Sequence, residues 1–202
     1  RCEAYLDIQE ALPDIAIEEE GYRLHLYPGQ PYEVTAYMES GLQFYGALLK
    51  FGGMMLHSSA VEVDGRAYLF SGDSGVGKST HTRLWREHFG NRAIMVNDDK
   101  PVIRLIDGKV FVYGTPWNGK ENWGENISAP LAAICFLDRG EVNSIRPATP
   151  DETLERLMHQ LYLRGERSSV IRQLALMDAL VNGARFFLLS CNISDEAAKI
   201  AY

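Results

Sequence analysis

One octapeptide constrains this chain more than any other part of its sequence. Gly72-Asp73-Ser74-Gly75-Val76-Gly77-Lys78-Ser79 fits the pattern G-x-x-x-x-G-K-[ST] of phosphate-binding loops. Such a loop needs several backbone N–H groups to converge on a phosphate, and glycine lets the main chain approach that closely. The loop then opens a helix, so that free N–H groups and the positive end of the helix dipole face the anion. We expect Lys78 to reach the terminal phosphates and the Ser79 hydroxyl to ligate Mg²⁺.

The residues on either side of the octapeptide predict the strand and the helix that such a loop requires. Residues 67–70 form a short apolar run typical of a buried strand. Residues 79–88 contain neither Gly nor Pro and place Leu84, Trp85 and His88 at helical spacings. By chance this octapeptide pattern should occur only about once per hundred chains of this length. We therefore predict a nucleotide site whose phosphates contact Gly72, Asp73, Ser74, Gly75, Val76, Gly77, Lys78, Ser79 and Thr80.

Hairpin turns and buried strands alternate over much of the remaining chain. Asp64-Gly65 and Asp107-Gly108 are each typical of a two-residue turn between antiparallel strands. Apolar runs predict strands at 54–63, 93–96, 131–137 and 184–189, and helical spacing predicts helices at 42–51, 170–180 and 194–200. Because hairpins outnumber strand–helix–strand units, we predict an α/β fold with a mixed β-sheet and flanking helices.

Length and composition favour an ordinary globular domain with a substantial core. The chain has 202 residues, of which 46% are hydrophobic and 23% are charged. We expect residues 51–202 to form the nucleotide-binding domain. Residues 1–50 are expected to form an N-terminal appendage of strand and helix that packs on it.

Two consecutive carboxylates follow the predicted strand at 93–96. Asp98 and Asp99 come 20 and 21 residues after Lys78, where a second carboxylate is needed for Mg²⁺. One could hold the metal while the other accepts a proton from an attacking hydroxyl. Adjacent strand residues point in opposite directions, so the backbone must twist for both to face the site. The alternative is an ordinary polar turn after a strand.

His57 is a third candidate for chemistry. It follows three apolar residues and lies one predicted strand before the loop. A lone histidine of this kind is more often structural than catalytic. In a hairpin whose second strand feeds the phosphate loop, however, it could orient an Asp or tune its pKa.

These residues carry a resemblance to a known family. The runs His57-Ser58-Ser59-Ala60-Val61-Glu62-Val63-Asp64-Gly65 and Tyr68-Leu69-Phe70, the octapeptide and the Asp pair resemble the catalytic domain of HPr kinase/phosphorylase. The resemblance covers residues 56–103 most clearly, and 114–137 looks more like smaller HPr-kinase-like proteins. It implies a fold and phosphate loop of the HPr kinase and phosphoenolpyruvate carboxykinase type. It also implies transfer of a phosphoryl group to a serine hydroxyl.

The same resemblance implies roles for individual residues. Lys78 matches the phosphate-binding lysine and Ser79 a metal ligand, while Asp98 and Asp99 match the acidic pair and His57 the family histidine. We assign Asp98 as the catalytic base and Asp99, with Ser79, to the metal. The chain departs from true HPr kinases because Thr80 replaces an acidic residue and because their downstream glycine- and asparagine-containing segment is missing. A dedicated kinase for another peptide, protein or small hydroxylated molecule fits better.

The loop at 114–120 offers two further candidates. Lys120 could contact the γ-phosphate or the acceptor, and we count it among the nucleotide-binding residues. Trp117 could stack on a base. The alternative for both is a surface loop with a packed tryptophan and an extended lysine.

Charge and cysteine content limit the partners and the compartment. The formal net charge is −7, which argues against nucleic acid and anionic membranes as partners. We identify neither a signal peptide nor an apolar membrane span. The three cysteines lack a C-x-x-C pattern, and Cys135 lies in an apolar run typical of a core. We expect a cytoplasmic protein and leave open whether it forms an oligomer.

The sequence thus predicts an ATP- and Mg²⁺-dependent kinase acting on a hydroxyl acceptor, with the choice of nucleotide base left open. Two alternatives remain. A carboxykinase-like or pyrophosphate-linked phosphotransferase would require further metal ligands and an arginine cluster. A non-catalytic ATP-sensing module would bind nucleotide without transferring phosphate.

Overall fold

The computed structural model describes residues 32–119, 121–160 and 167–202. Its helices are α1 (Tyr32–Leu48), α2 (Lys78–Phe89), α3 (Pro150–Gln160), α4 (Arg167–Gly183) and α5 (Asp195–Ala201), with 3₁₀ turns at Leu49–Phe51 and Gly90–Arg92. Its strands are β1 (Gly53–Met55), β2 (Ser58–Val63), β3 (Arg66–Ser71), β4 (Ala93–Asn97), β5 (Val102–Ile106), β6 (Lys109–Tyr113), β7 (Ser128–Arg139), β8 (Ser144–Pro147) and β9 (Phe186–Cys191). Lys120 and the part of the predicted appendage before residue 32 lie outside the described residues.

Nine strands of the described chain form one curled, mixed sheet, and β7 is shared by its two parts. The start of β7 pairs antiparallel with β6, which continues through β5 to β1. The rest of β7 pairs parallel with β3 and with β9. Strand β3 continues antiparallel to β2, which pairs with β4, and β8 pairs with β9. The predicted α/β fold with a mixed sheet and flanking helices is confirmed.

Both predicted Asp-Gly turns are present. Asp64 and Gly65 have φ values of 53° and 79°, and Asp107 and Gly108 have values of 49° and 75°. Two consecutive positive φ angles define the turn that matches the twist of a hairpin. These turns join β2 to β3 and β5 to β6.

The predicted strand at 54–63 is instead two strands. The Leu56 N–H donates to Pro101 O at 3.4 Å, and the His57 N–H donates to Gln160 O at 3.2 Å. These bonds interrupt the ladder, so β1 pairs with β5 while β2 pairs with β3 and β4. The break places His57 between two parts of the sheet. The helix predicted at 42–51 begins earlier, at Tyr32, and ends in a 3₁₀ turn.

Side chains of β3 alternate between two cores on opposite faces of the sheet, as a strand covered on both faces requires. Leu69 packs in a cluster that includes Leu157 of α3 and Leu180 of α4. Phe70 packs in a second cluster with Trp85 of α2 and residues of α5. A third cluster joins α1 to the sheet and contains Tyr45, Leu48, Met55, Val102 and Trp117.

Cys135 is a buried member of the second cluster, as predicted, and its thiol is free. In the parts of the chain that the structure describes, no helix is both long enough and apolar enough to cross a membrane.

Candidate functional site

The octapeptide connects the end of β3 to the start of α2. Gly72, Gly75 and Gly77 have φ values of 144°, 79° and 120°, which side chains rarely allow. The His81 N–H donates to Gly77 O at 2.8 Å and begins the helical ladder. The backbone N–H groups at the start of α2 therefore have no partner within the helix. This is the arrangement by which a helix N-terminus binds an anion.

Lys78 lies over the loop. Its Nζ donates to Gly72 O at 2.9 Å and to Asp73 O at 3.1 Å, and only 8% of the residue is exposed. Burial lowers the pKa of Lys78, and the charges of Asp99, Asp73 and Asp98 oppose that shift. Both carboxylates of the acidic pair thus act electrostatically on the lysine.

Asp98 is held at the end of β4 by hydroxyl groups. The Ser59 Oγ donates to Asp98 Oδ1 at 2.7 Å, and it lies 2.9 Å from Thr82 Oγ1 of α2. Burial raises the pKa of Asp98, and hydrogen bonds from Ser59 and Ser79 partly offset this. A buried chain of hydroxyls therefore joins α2, β2 and Asp98, and the carboxylate lies against Ser79.

Asp99 faces His57 instead. The His57 Nε2 lies 3.5 Å from Asp99 Oδ1, and Lys100 forms an ion pair with the other oxygen. On the opposite side of the ring, His57 Nδ1 lies 3.2 Å from Gln160 Oε1. The Gln160 Nε2 in turn lies 3.5 Å from Asp73 Oδ1. Gln160 therefore links the histidine to the octapeptide.

The surroundings of His57 favour its neutral form. Burial and the positive charge of Lys78 lower the pKa of His57, and Asp99 raises it only in part. With Gln160 Oε1 as an acceptor, the neutral ring carries its proton on Nδ1. The unprotonated Nε2 and the Asp99 carboxylate then face each other as two proton acceptors.

Asn97 explains how two adjacent carboxylates face different partners in one site. Its Oδ1 accepts hydrogen bonds from the N–H groups of Asp99 and Lys100, at 2.9 and 2.6 Å. Its Nδ2 lies 2.9 Å from Thr115 Oγ1 and 2.7 Å from Asn118 Oδ1. The side chain is fully buried. This turn supplies the twist that the sequence required.

The loop after β6 packs against the same turn. The Thr115 Oγ1 donates to Lys100 O at 2.9 Å, and a Cβ on Gly119 would lie 3.0 Å from the Asp99 Cβ. Trp117 is buried, stacks on Phe44 with ring centroids 5.2 Å apart, and donates to Tyr37 O. Trp117 is therefore a packed residue of the α1 cluster and is not available to stack on a base.

The donors around Ser79 fit a magnesium ion. Mg²⁺ in such sites is held by one or two side-chain oxygens together with substrate phosphates and water. The Ser79 hydroxyl and the Asp98 carboxylate are oxygen donors that lie together at the loop. Within residues 32–119, 121–160 and 167–202, no group of three or more His, Cys, Asp or Glu side chains could hold a metal by itself. The additional ligands expected for a carboxykinase-like enzyme are thus not found in these segments.

Ser59, Asn97 and Gln160 belong to this site but were not predicted. Ser59 follows His57 by two residues in the run predicted as one strand, a spacing that would place both on one face, although His57 itself lies in the break before β2. Asn97 directly precedes the Asp pair, where its side chain can bond to the backbone two or three residues on. Gln160 carries no signal in the sequence, because only the tertiary fold brings α3 to the loop.

Comparisons with known proteins give similarity to solved structures alone, and it is distant. No family model matches the chain, and no curated protein matches it significantly. A solved structure described as Hpr(Ser) kinase/phosphatase from Coxiella burnetii aligns with 13% sequence identity and a TM-score of 0.39. The alignment covers 73% of this chain and 91% of that chain. This similarity concerns only distant fold relationship, and the contacts described above carry the functional proposal.

Proposed function

We propose that the chain is an ATP- and Mg²⁺-dependent kinase that transfers a phosphoryl group to a serine-type hydroxyl on a peptide, protein or small molecule. The observation that carries this proposal is a juxtaposition of three groups. The octapeptide, the buried Asp98 beside Ser79, and the Asp99–His57 pair lie around Lys78. Phosphate binding, metal binding and proton removal are the three tasks of a kinase site.

The phosphate-binding task belongs to residues 72–80. The N–H groups of the loop and of the start of α2 would bind the phosphate oxygens, with Thr80 at the end of the run. Lys78 donates to two loop carbonyls in this structure. When nucleotide binds, its ammonium group would donate to the phosphate oxygens instead. Lys120 remains a proposed phosphate contact next to this site. Catalysis here depends mainly on positioning and charge neutralisation.

Mg²⁺ would supply charge neutralisation at the phosphates, held by Ser79 and one Asp. The contacts favour Asp98 for this role because it lies against Ser79, whereas the sequence assigned Asp99. Burial raises the pKa of Asp98, and a bound cation would hold the carboxylate in its ionised form.

The contacts likewise favour Asp99 with His57 as the proton acceptor, in place of Asp98. His57 Nε2 and Asp99 Oδ1 lie 3.5 Å apart, so a proton from the acceptor hydroxyl would be shared by both. The Gln160 Oε1 would fix the ring by accepting the hydrogen bond from Nδ1. Asp99 would thus remove the proton. His57 would position the Asp99 carboxylate and stabilise its protonated form.

The test of the function is transfer of the γ-phosphate of [γ-³²P]ATP in the presence of Mg²⁺. The acceptors are a library of serine-containing peptides and a pool of small hydroxylated metabolites. We expect a labelled acceptor with the wild type and none with Lys78→Met or Asp99→Asn. If the wild type binds ATP tightly but labels no acceptor, the ATP-sensing alternative replaces the kinase. Labelling that survives Lys78→Met would exclude the octapeptide as the site.

The division of labour between the two carboxylates has its own test. We expect Asp98→Asn to raise the Mg²⁺ concentration needed for half-maximal rate by about tenfold or more. Asp99→Asn should lower kcat by about 10²- to 10⁴-fold while leaving that Mg²⁺ concentration nearly unchanged. The opposite pattern would restore the order assigned from the sequence.

A further inference from the structure

A groove of about 600 Å³ lies beside the octapeptide, and neither His57 nor the Asp98–Asp99 pair lines it. Residues 75–77 of the loop, helix α2 and the segments that follow β7 and β9 line it. The carboxyl ends of the parallel strands β3, β7 and β9 therefore meet here. This edge is where open α/β sheets bind ligands. The volume falls within the range of about 300–1,000 Å³ for small-molecule sites.

Helix α2 separates the groove from the carboxylates. Thr80 and Leu84 line the groove. Ser79 and Thr82 contact the side that holds Asp98. Because a helix turns by about 100° per residue, these two pairs occupy nearly opposite faces of α2. A chain of phosphates bound at the start of α2, with its terminal phosphate toward Asp98, therefore has its other end directed toward the groove.

We propose that this groove binds the base and ribose of the nucleotide whose phosphates bind the octapeptide. This inference rests on the proposed function and adds the nucleoside subsite to it. The continuity of the groove with the loop supports the assignment, because residues 75–77 and Thr80 line both. With the phosphates of ATP bound by the octapeptide, its base and ribose still require a binding site next to the loop.

The chemistry of the lining suits a nucleoside. Leu84 and Ile193 offer apolar surface to a flat base, and 75% of Ile193 is exposed. Arg139 stands where the loop opens into the groove and donates to Val76 O at 3.3 Å and to Gly75 O. Its guanidinium charge would lie near the phosphate that joins the ribose.

The chain offers a matched pair of variants to test this subsite. Ile193→Glu replaces apolar surface of the groove with a second carboxylate beside that of Glu141, whereas Val142→Glu makes a like change at a residue that is 77% exposed and lies outside the lining. Isothermal titration calorimetry with Mg²⁺ would compare ATP with tripolyphosphate, which lacks the nucleoside. Lys78→Met tests the phosphate contribution separately.

We expect the wild type to bind ATP at least about tenfold more tightly than tripolyphosphate. Ile193→Glu should weaken ATP on the order of tenfold and change tripolyphosphate less than about twofold. Val142→Glu should change neither. Equal affinity of the wild type for both ligands, or an equal loss of both in Ile193→Glu, would overturn the nucleoside subsite while leaving the kinase proposal intact.

Failure of the proposed function gives a different result. In that case neither ligand binds the wild type, or both bind Lys78→Met as tightly as the wild type, and the subsite is rejected with it. Photolabelling of the wild type with 8-azido-ATP adds a readout that needs no variant. Label is expected within residues 80–84, 139–141 or 191–193, and label confined to other segments would overturn the assignment.

Discussion

Ser59 donates a hydrogen bond to Asp98 across 2.7 Å and holds a carboxylate that is only 6% exposed. The bond keeps Asp98 directed at Ser79 in an environment that opposes its charge. Burial raises the pKa of Asp98 above the ordinary value despite this bond. The ionised form of Asp98, which the proposed magnesium role requires, is therefore the form that burial disfavours in the metal-free fold.

Asp98→Asn is expected to stabilise the metal-free protein at neutral pH. Because the folded-state pKa is raised, the folded state binds the proton more tightly than the unfolded state, and stability is lost as pH rises through that range. Asparagine keeps the acceptor for Ser59 and removes the charge. We expect Tm at pH 7, in the presence of a chelator, to rise by about 2–4 °C.

The difference between Asp98→Asn and the wild type should shrink below about pH 4, where the wild-type carboxyl is protonated in both states. Asp178→Asn, which changes an exposed carboxylate of α4, provides the control and should leave Tm unchanged. A lower Tm for Asp98→Asn at pH 7 would contradict a penalty from the buried charge.

The titration of His57 should respond to its two charged neighbours in opposite directions. Its pKa lies below 6.5 because of burial and Lys78, while Asp99 raises it. In NMR titrations we expect the His57 midpoint to rise in Lys78→Met and to fall further in Asp99→Asn. Arg83→Met removes an exposed cation from α2, the helix that carries Lys78, and should leave the His57 midpoint unchanged.

The lowered pKa of His57 also has a consequence for stability. The folded state disfavours the charged His57 ring. The stability that the neutral ring contributes is therefore lost as pH falls from about 6.5 through the folded-state pKa. A midpoint above 6.5 in the wild type would show that Asp99 dominates over burial and Lys78.

Asn97→Ala should destabilise the fold more than any exposed asparagine substitution. The change leaves the part-buried N–H groups of Asp99 and Lys100 without their acceptor and removes the donor to Thr115 and Asn118. We expect urea unfolding to show a loss of about 2–4 kcal/mol. Asn91→Ala, at an exposed position after α2, should change the free energy of unfolding by less than about 0.5 kcal/mol.

Gln160 is expected to act as a positioning residue. Gln160→Ala removes the acceptor that orients His57 and the contact to Asp73. We expect kcat for phosphoryl transfer to fall by about ten- to a hundredfold, with ATP affinity nearly unchanged. His159→Ala alters the exposed neighbour on α3 and should retain the wild-type rate. A proportional loss of ATP affinity would indicate that Gln160 supports the loop and not the histidine.

Local chemistry made the hairpin turns and the positive φ angles of the octapeptide predictable. Asp-Gly pairs specify consecutive positive φ angles, and the glycines of the octapeptide occupy positions where a Cβ would be strained. Such features depend on a few neighbouring residues, so the sequence alone contains them. The order of the Asp98 and Asp99 contacts depends instead on Asn97 bonding to a distant loop.

The break between β1 and β2 could not be predicted for a related reason. Met54 and Val61 both lie in the run predicted as one strand, but β1 and β2 pair with different strands. The hydrogen bond from His57 N–H to Gln160 O comes from α3, about a hundred residues further along the chain. Gln160 lies in the site because of this long-range contact, and no periodic pattern in the sequence indicates it.

The position of β7 determines when during folding the binding site can exist. Register pairs Ala67 of β3 with Leu131 of β7, and Ile134 of β7 with Phe186 of β9. Strand β3, which leads into the octapeptide, therefore pairs with its parallel neighbour only after a long segment has been synthesised. The parallel strand on the other side of that neighbour is β9, the last strand along the chain. Such non-local pairing slows folding, because the entropy cost of closing a long loop precedes the stabilising contacts between the paired strands. A ribosome-bound chain that ends before residue 128 would carry the complete octapeptide and strands β1–β6, yet lack the parallel strands β7 and β9 beside β3. We therefore expect nucleotide binding to emerge late in translation.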